Sequence, residues 1–293
     1  MGETLNNPNG GMRGKRVLVT GGTSGIGRAT AVAMAAMGAD VVVTGRNPER
    51  GELAVEEIWA ESFGGSVELM LADLAVQAEV RRLAEEFMER HDRLDVLVNN
   101  AGLVQSTRTE TRDGIETTLA VNHLAPFLLT NLLLDLLKSS APSRVVTVSS
   151  EAQRWGRMDF DDLQSKSKYR GFPVYGMTKL ANIMFTYELA ERLEGTGVTA
   201  TCMHPGAVNT RFGTNNGGPM TLLFRAFKPF MRTPDQGADT VNYLASSWEV
   251  EGVSGKYYSD RKWIEPQEIA LDPEARRKLW EASEELTGLK VTA

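Results

Sequence analysis

Near the start of the chain a β-rich run, a glycine turn and an alanine-rich helix pattern follow one another, and this order limits the fold more than any other feature. Lys15-Arg-Val-Leu-Val-Thr20 reads as a short strand, Gly21 to Gly27 as the turn, and Arg28 to Met37 as the helix, which Gly38 ends. The alternation then repeats. Asp40 to Thr44, Ser66 to Ala72, Leu94 to Val98, Ser143 to Val148 and Val198 to Met203 read as further strands, with Lys256 to Ser259 as a last one. Helices are expected at Pro48 to Ser62, Val76 to Arg90, Asp113 to Lys138 (one or two, bent near Pro126), Pro173 to Leu193, after Pro234, and at Pro273 to Thr287. Strands alternating with helices predict an α/β fold, a doubly wound parallel sheet of about seven strands with helices on both faces. With 293 residues and 42% hydrophobic content the chain can form one large core. Residues 1–14 are polar and Gly/Asn-rich and are expected to be a flexible segment before a single domain at 15–293.

In such sheets ligands bind outside the carboxyl ends of the strands. The residues that follow those ends are Gly21–Gly27, Arg46, Asp73, Asn99–Gly102, Ser150 and Pro205-Gly206. Glycines at 21, 25 and 27 let the backbone approach a pyrophosphate, and the helix behind them offers free N–H groups and a positive dipole end. The spacing is TGxxxGxG, so the common GxGxxG dinucleotide fingerprint is not met literally. A free ribose 2′-hydroxyl usually meets Asp or Glu at the end of the second strand. Here that strand ends in Thr44-Gly45-Arg46, and Asp40 stands at its other end. A guanidinium suits a 2′-phosphate, so NADP(H) is expected over NAD(H), with Arg28 assisting from the first helix.

Tyr175 and Lys179 lie four apart in a helical pattern and share one helix face. A free phenol titrates near ~10, too high for acid–base work at neutral pH. An ammonium one turn away is expected to favour phenolate and lower that value. Such a pair can exchange a proton with a substrate oxygen.

Other classes are disfavoured. The net charge of −6 is spread along the chain without a basic run, which argues against nucleic acid. The one cysteine, Cys202, lies in an apolar run and is expected to be buried and inert, in keeping with a reducing, cytoplasmic setting. No apolar run is long enough for a signal segment or a transmembrane anchor. His91, His123 and His204 lack ligand-spaced partners, so no metal site is expected.

Thr20-Gly-x-x-x-Gly-x-Gly27, Asn99-Asn-Ala-Gly102, Ser150, Tyr175-x-x-x-Lys179 and Pro205-Gly206, in this order, resemble the short-chain dehydrogenase/reductase family of the ordinary, non-extended type. The resemblance runs from about Lys15 to Tyr258 and implies a Rossmann-like fold. It implies that Tyr175 is the general acid/base and that Lys179 lowers its pKa and holds the nicotinamide ribose. Ser150, rather than Ser149, would hydrogen-bond the substrate oxygen, and strand alternation would put these two serines on opposite faces. Asn122 would support a water in the proton relay. Gly21, Thr23, Ser24, Gly25, Ile26, Gly27, Arg28 and Arg46 would bind the cofactor's phosphates. Asp73 and Leu74 would flank the adenine, with Asn99, Ala101, Gly102, Pro205, Gly206 and Thr210 along the rest.

Ser150 and Tyr175 are further apart than in the shortest family members. That spacing, His204 before Pro205-Gly206, and Lys179-Leu-Ala-Asn182 resemble the retinol-dehydrogenase-like branch, which implies a lipophilic aldehyde, ketone or alcohol of retinoid or steroid type. Residues 207–233 form the expected substrate loop. Its apolar part, Met220 to Met231, reads as a lid, as a helix on a membrane surface or as a subunit contact. Trp155 and Trp263 read equally as pocket wall or core. The resemblance also implies a homo-dimer or homo-tetramer. Two other readings are an extended-type epimerase or dehydratase and a non-catalytic NADP(H)-sensing protein. The glycine spacing opposes the first, and the presence of both Tyr175 and Lys179 opposes the second.

Overall fold

A computed structural model of the chain describes residues 11–209 and 231–289. Eight strands form one sheet in the order β3-β2-β1-β4-β5-β6-β7-β8. They are β1 (Arg16–Val19), β2 (Asp40–Gly45), β3 (Ser66–Leu71), β4 (Val96–Asn99), β5 (Ser143–Val148), β6 (Val198–Met203), β7 (Lys256–Ser259) and β8 (Lys262–Trp263). The first seven run parallel. The eighth, not foreseen in the sequence, is a two-residue antiparallel return that pairs Tyr258 with Trp263. The strand order reverses between β1 and β4, which opens the crevice where such sheets bind ligands.

The helices are α1 (Gly25–Ala36), α2 (Pro48–Ser62), α3 (Gln77–Arg90), α4 (Thr117–Leu119), α5 (Ala125–Leu132), α6 (Leu134–Ser139), α7 (Gly171–Arg192), α8 (Pro234–Ser246) and α9 (Pro273–Thr287). Strand alternation assigns them to faces. Val17, Val19, Val41, Val43, Val96 and Val98 join the core that holds Ala31, Met34 and Ile58 of α1 and α2 and Val241 of α8. Leu18, Val42, Leu97 and Val145 join the opposite core, with Leu83 and Phe87 of α3, Phe127 of α5 and Phe185 of α7. The central strands are thus buried on both sides, which is why they read as nearly continuous apolar runs.

Two boundaries differ from expectation. Met12, placed above in the N-terminal segment, is buried in the first of these cores, and its amide bonds the Met37 carbonyl at 2.9 Å. The stretch expected to bend near Pro126 is instead divided into α4, a π-helical segment, α5 and α6. Ala120–Leu124 is a π-helical segment, and Pro126 sits in the first turn of α5. Proline has no N–H, so the Asn122 carbonyl is denied its ordinary i+4 partner.

The closing helix α9 is a cover. Its buried Trp280 meets Phe127 edge-on at 4.9 Å and stacks on Phe185 at 5.9 Å, and the Arg192 guanidinium lies 4.1 Å above the indole. Phe127 is fully buried. Phe127→Ala is therefore expected to cost about 3–5 kcal/mol, read as a lower urea midpoint at unchanged m-value. A shift under ~1 kcal/mol would mean that this aromatic cluster does not hold α9 in place.

Candidate active site

Parallel pairing carries every strand-end residue to one edge. There, Gly21 and Gly25 take φ of +64° and +57°, the left-handed region that suits glycine. A Cβ on Gly22 would lie 2.7 Å from the Val43 side chain, and one on Gly27 would overlap the Gly21 carbonyl. The turn is thus pressed between β2 and α1. Ser24 takes the N-cap position without a side-chain bond, and the first turn of α1 carries no acidic residue. Its leading amides are left for an anion, and the dipole favours one. This cradle of glycine, free amides and no carboxylate fits a pyrophosphate.

Asn100, which the sequence reading passed over between Asn99 and Ala101, holds the turn. Its Nδ2 donates to the Thr20 carbonyl at 2.8 Å and to the Gly21 carbonyl at 3.3 Å. The amides of Asn100 and Ala101 donate to Thr20 Oγ1 at 3.0 and 3.1 Å. Asn99 points the other way, its Nδ2 donating to Thr130 Oγ1 of α5 at 2.9 Å. Only its backbone is free to line the crevice.

Arg46 stands exposed just past β2, and no carboxylate pairs with it among the described residues. Arg28 is engaged elsewhere. Its Nε reaches Glu57 at 3.0 Å and its NH2 reaches Glu61 at 2.5 Å. Asp73 is half-buried and its Oδ1 caps a turn through the Ala75 amide at 3.1 Å. Leu74 leans on the core beside α3. Thr210 and most of the expected substrate loop, Phe224 and Phe227 included, lie outside the described residues.

The residues expected to be catalytic converge at the end of β5. Ser149 Oγ turns inward to the Lys179 carbonyl at 2.7 Å. Ser150 turns to the crevice. Its Oγ accepts the Ala152 amide at 3.1 Å and is hydrogen-bonded to the Tyr175 phenol. The two serines face opposite ways, as alternation predicts. Ser150 also caps a short 3-10 helix, Glu151–Trp155, whose end lies backbone to backbone on α7. A Cβ on Gly176 would lie 2.5 Å from the Ala152 carbonyl, and one on Gly156 would overlap the Gly176 carbonyl. This glycine pair sets how closely Ser150 approaches Tyr175. A glycine inside a helix directly after the key tyrosine was the available signal.

Asn122 is buried and ties three elements. Its Oδ1 accepts the Leu103 amide at 2.8 Å, and its Nδ2 donates to the Leu103 carbonyl at 2.9 Å and to Thr178 Oγ1 at 3.0 Å. Its carbonyl has no i+4 donor at Pro126, in keeping with the water-holding role that the resemblance implies. Lys179 Nζ donates to the Val148 carbonyl at 2.9 Å and reaches no other acceptor among the described residues, so the ammonium has donors to spare. A Cβ on Gly102 would stand 3.3 Å from that Nζ and 3.4 Å from Asn122 Oδ1. The bare backbone at Gly102 keeps the route to both open.

The electrostatics correct one expectation. Lys179 Nζ lies 5.8 Å from the Tyr175 ring centre, yet the phenol is not depressed. Burial pushes it up to about 12, against a smaller lowering by the Ser150 bond. Burial also pushes Lys179 down to about 8. Both groups are desolvated, and for both the uncharged form gains. At neutral pH Tyr175 is a protonated phenol, the form that can give a proton. Cys202 is fully buried as expected, its thiol pushed up to about 12. No cluster of metal-ligating residues occurs among the described residues.

Residues 15–218 match the family described as short chain dehydrogenase. The chain belongs to that family of oxidoreductases, and within it to the retinol-dehydrogenase-like branch. It is 46% identical to human retinol dehydrogenase 14, over 95% of this chain and 88% of that protein. It is 43% identical to mouse retinol dehydrogenase 12, over 94% of this chain and 87% of that protein. Among solved structures, one of an uncharacterized protein from Mycobacterium Paratuberculosis is 32% identical with a TM-score of 0.78, covering 96% of each chain. A short chain dehydrogenase from Burkholderia cenocepacia J2315 in complex with NADP is 29% identical with a TM-score of 0.68, covering 84% of this chain and 96% of that one.

If catalysis needs the Lys179 ammonium, kcat/KM falls as pH rises through about 8, the depressed value of this lysine. Lys179→Arg keeps its charge, so any residual activity of that variant is expected to lose this alkaline limb. A wild-type profile flat to pH ~10 would show that the charge on Lys179 is dispensable.

Proposed function

We propose that this protein is an NADP(H)-dependent carbonyl reductase and alcohol dehydrogenase acting on lipophilic aldehydes, ketones or alcohols. The observation that carries the reading is the meeting of a protonated Tyr175, Ser150 and a buried Lys179 beside an anion-binding glycine turn. When bound, the cofactor supplies or accepts hydride. The protein supplies the rest. Tyr175 gives its proton to the substrate oxygen as reduction proceeds. Ser150 Oγ, already fixed by the Ala152 amide, turns its own hydrogen to the developing oxyanion. Lys179 holds positive charge in a water-poor site, from which it would hold a ribose hydroxyl of the cofactor. Asn122 keeps Leu103 and Thr178 in place and leaves its carbonyl for a water.

Preference for NADP(H) is supported by unpaired Arg46 where a carboxylate would otherwise meet the ribose, and by the NADP complex of a related dehydrogenase. A lipophilic substrate is supported by the names of the retinol dehydrogenases to which the chain is similar. It is supported too by an aromatic path beside the phenol. Trp155 is 57% exposed, Phe172 is 38% exposed, and the rings run Trp155 to Phe172 at 5.6 Å and Phe172 to Tyr175 at 6.4 Å. That favours wall over core for Trp155. Trp263 is also exposed, but it lies under Lys256 on the β8 return, away from this path.

Cofactor consumption with aldehydes and ketones of graded chain length tests both parts. Arg46→Asp is expected to weaken NADPH relative to NADH by about 10–100-fold, the worth of one or two charge-assisted hydrogen bonds. Unchanged preference would remove Arg46 from cofactor choice. Trp155→Ala is expected to raise KM about tenfold for long apolar substrates and little for short ones. An equal effect on both would remove the aromatic path from substrate binding.

A further inference from the structure

His204 belongs to none of the roles above, yet it links the segments that follow β5 and β6. It follows β6 directly, and its amide extends the pairing with β7 through the Tyr258 carbonyl at 3.0 Å. Its ring is buried, 5.6 Å from that of Tyr257. Nδ1 lies 3.3 Å from the Gly206 amide and Nε2 lies 3.0 Å from Glu151 Oε2. A backbone amide can only donate, so Nδ1 carries the lone pair. Nε2 must then carry the hydrogen, which it gives to the carboxylate. One neutral imidazole thus joins the residue after Ser150 to the Pro205-Gly206 turn.

Both ends of this link are otherwise braced. Glu151 is also held by Arg154 within the short 3-10 helix that Ser150 caps. On the other side, Gly206 takes φ of +73°, and a Cβ there would stand 3.3 Å from the Arg232 guanidinium. Arg232 donates to the Pro205 carbonyl at 3.3 Å and is held by Asp260 at 2.5 and 3.0 Å. The imidazole is the piece that couples these two braced units.

We propose that His204 is a positioning residue, which as its neutral Nε2–H tautomer locks Ser150 through Glu151 and the Pro205-Gly206 turn through the Gly206 amide. The inference rests on the reading of Ser150 and of that turn as parts of the reduction site. Protonation would put a hydrogen on Nδ1 facing the Gly206 N–H, so the turn is released in acid while the Glu151 contact persists. The charged groups that face the ring are Glu151 and Arg154 from the 3-10 helix, Asp260 after β7, and Arg232. Burial sets the ring below its ordinary value, the two carboxylates pull it up and the two guanidiniums push it down. The neutral lock therefore holds at neutral pH and is lost as pH falls below the ordinary imidazole range.

Two variants separate the arms. His204→Asn keeps an acceptor for Gly206 and gives up Glu151, so cofactor Kd is expected to stay within about twofold while kcat drops about tenfold. His204→Gln keeps a donor for Glu151 and gives up Gly206, so kcat is expected to hold while cofactor Kd rises about tenfold. Wild-type affinity is expected to weaken by about threefold or more between pH ~7.5 and ~5.5, and that of His204→Asn is expected not to. Imidazole 15N shifts report the tautomer without turnover, and only three histidines need assignment. A Nδ1–H tautomer would overturn the proposal. So would cofactor affinity and kcat falling together with thermal stability in both variants, or neither changing. A wild-type protein that binds neither nicotinamide cofactor would sink the proposed function instead, leaving the tautomer to judge the lock.

Discussion

An ammonium and a phenol lie buried side by side at the end of β5, and much of the surrounding structure serves to hold them there. Bringing Lys179 from its ordinary value to about 8 corresponds to a cost on the order of 3 kcal/mol. The Val148 carbonyl answers one proton of the ammonium, and the rest of its hydrogen-bonding capacity meets no acceptor among the described residues. Such an arrangement persists only where neighbours leave it no alternative. Ser149 anchors the α7 backbone at Lys179, Asn122 anchors it through Thr178, and the Gly156–Gly176 contact closes it from the other side. A site held in this way is organised before any ligand arrives, which is what electrostatic stabilisation of a transition state requires.

The rest of the molecule follows from where that site must be. Seven parallel strands bring seven strand ends to one edge, and the reversal of order between β1 and β4 opens the crevice along it. The anion cradle of α1 and the proton-bearing pair on α7 are held in register by the sheet between them. Asn100 and Asn122 do locally what the sheet does globally. One fixes the glycine turn to β4, and the other fixes the π segment to α7. The aromatic cluster of Phe127, Phe185 and Trp280 supports this assembly from behind.

Much of this was legible in the sequence, because period and punctuation are local signals. α2 and α9, with β5 and β6, fall where apolar runs, prolines and glycines put them, and the strand-end residues converge as the parallel sheet demands. What the sequence could not give depends on distance in space. The Tyr175 phenol was expected to fall toward neutrality, and burial raises it instead, since desolvation cannot be read from a four-residue spacing. The two-residue β8 return carries too little pattern to be seen. Asn100 was given no role of its own beside Asn99, yet alternation sends the two side chains to opposite tasks. Glu151 and His204 are remote in sequence, and only the parallel neighbours β5 and β6 bring them together.

The central claim is that a protonated Tyr175 supplies the proton to the substrate oxygen. The most direct measurement is single-turnover reduction by Tyr175→Phe with cofactor affinity followed in parallel. Loss of turnover by about 10²–10⁴-fold with cofactor affinity and melting temperature unchanged is the predicted result. Full turnover without the phenol would contradict it and place the proton donor elsewhere in the crevice.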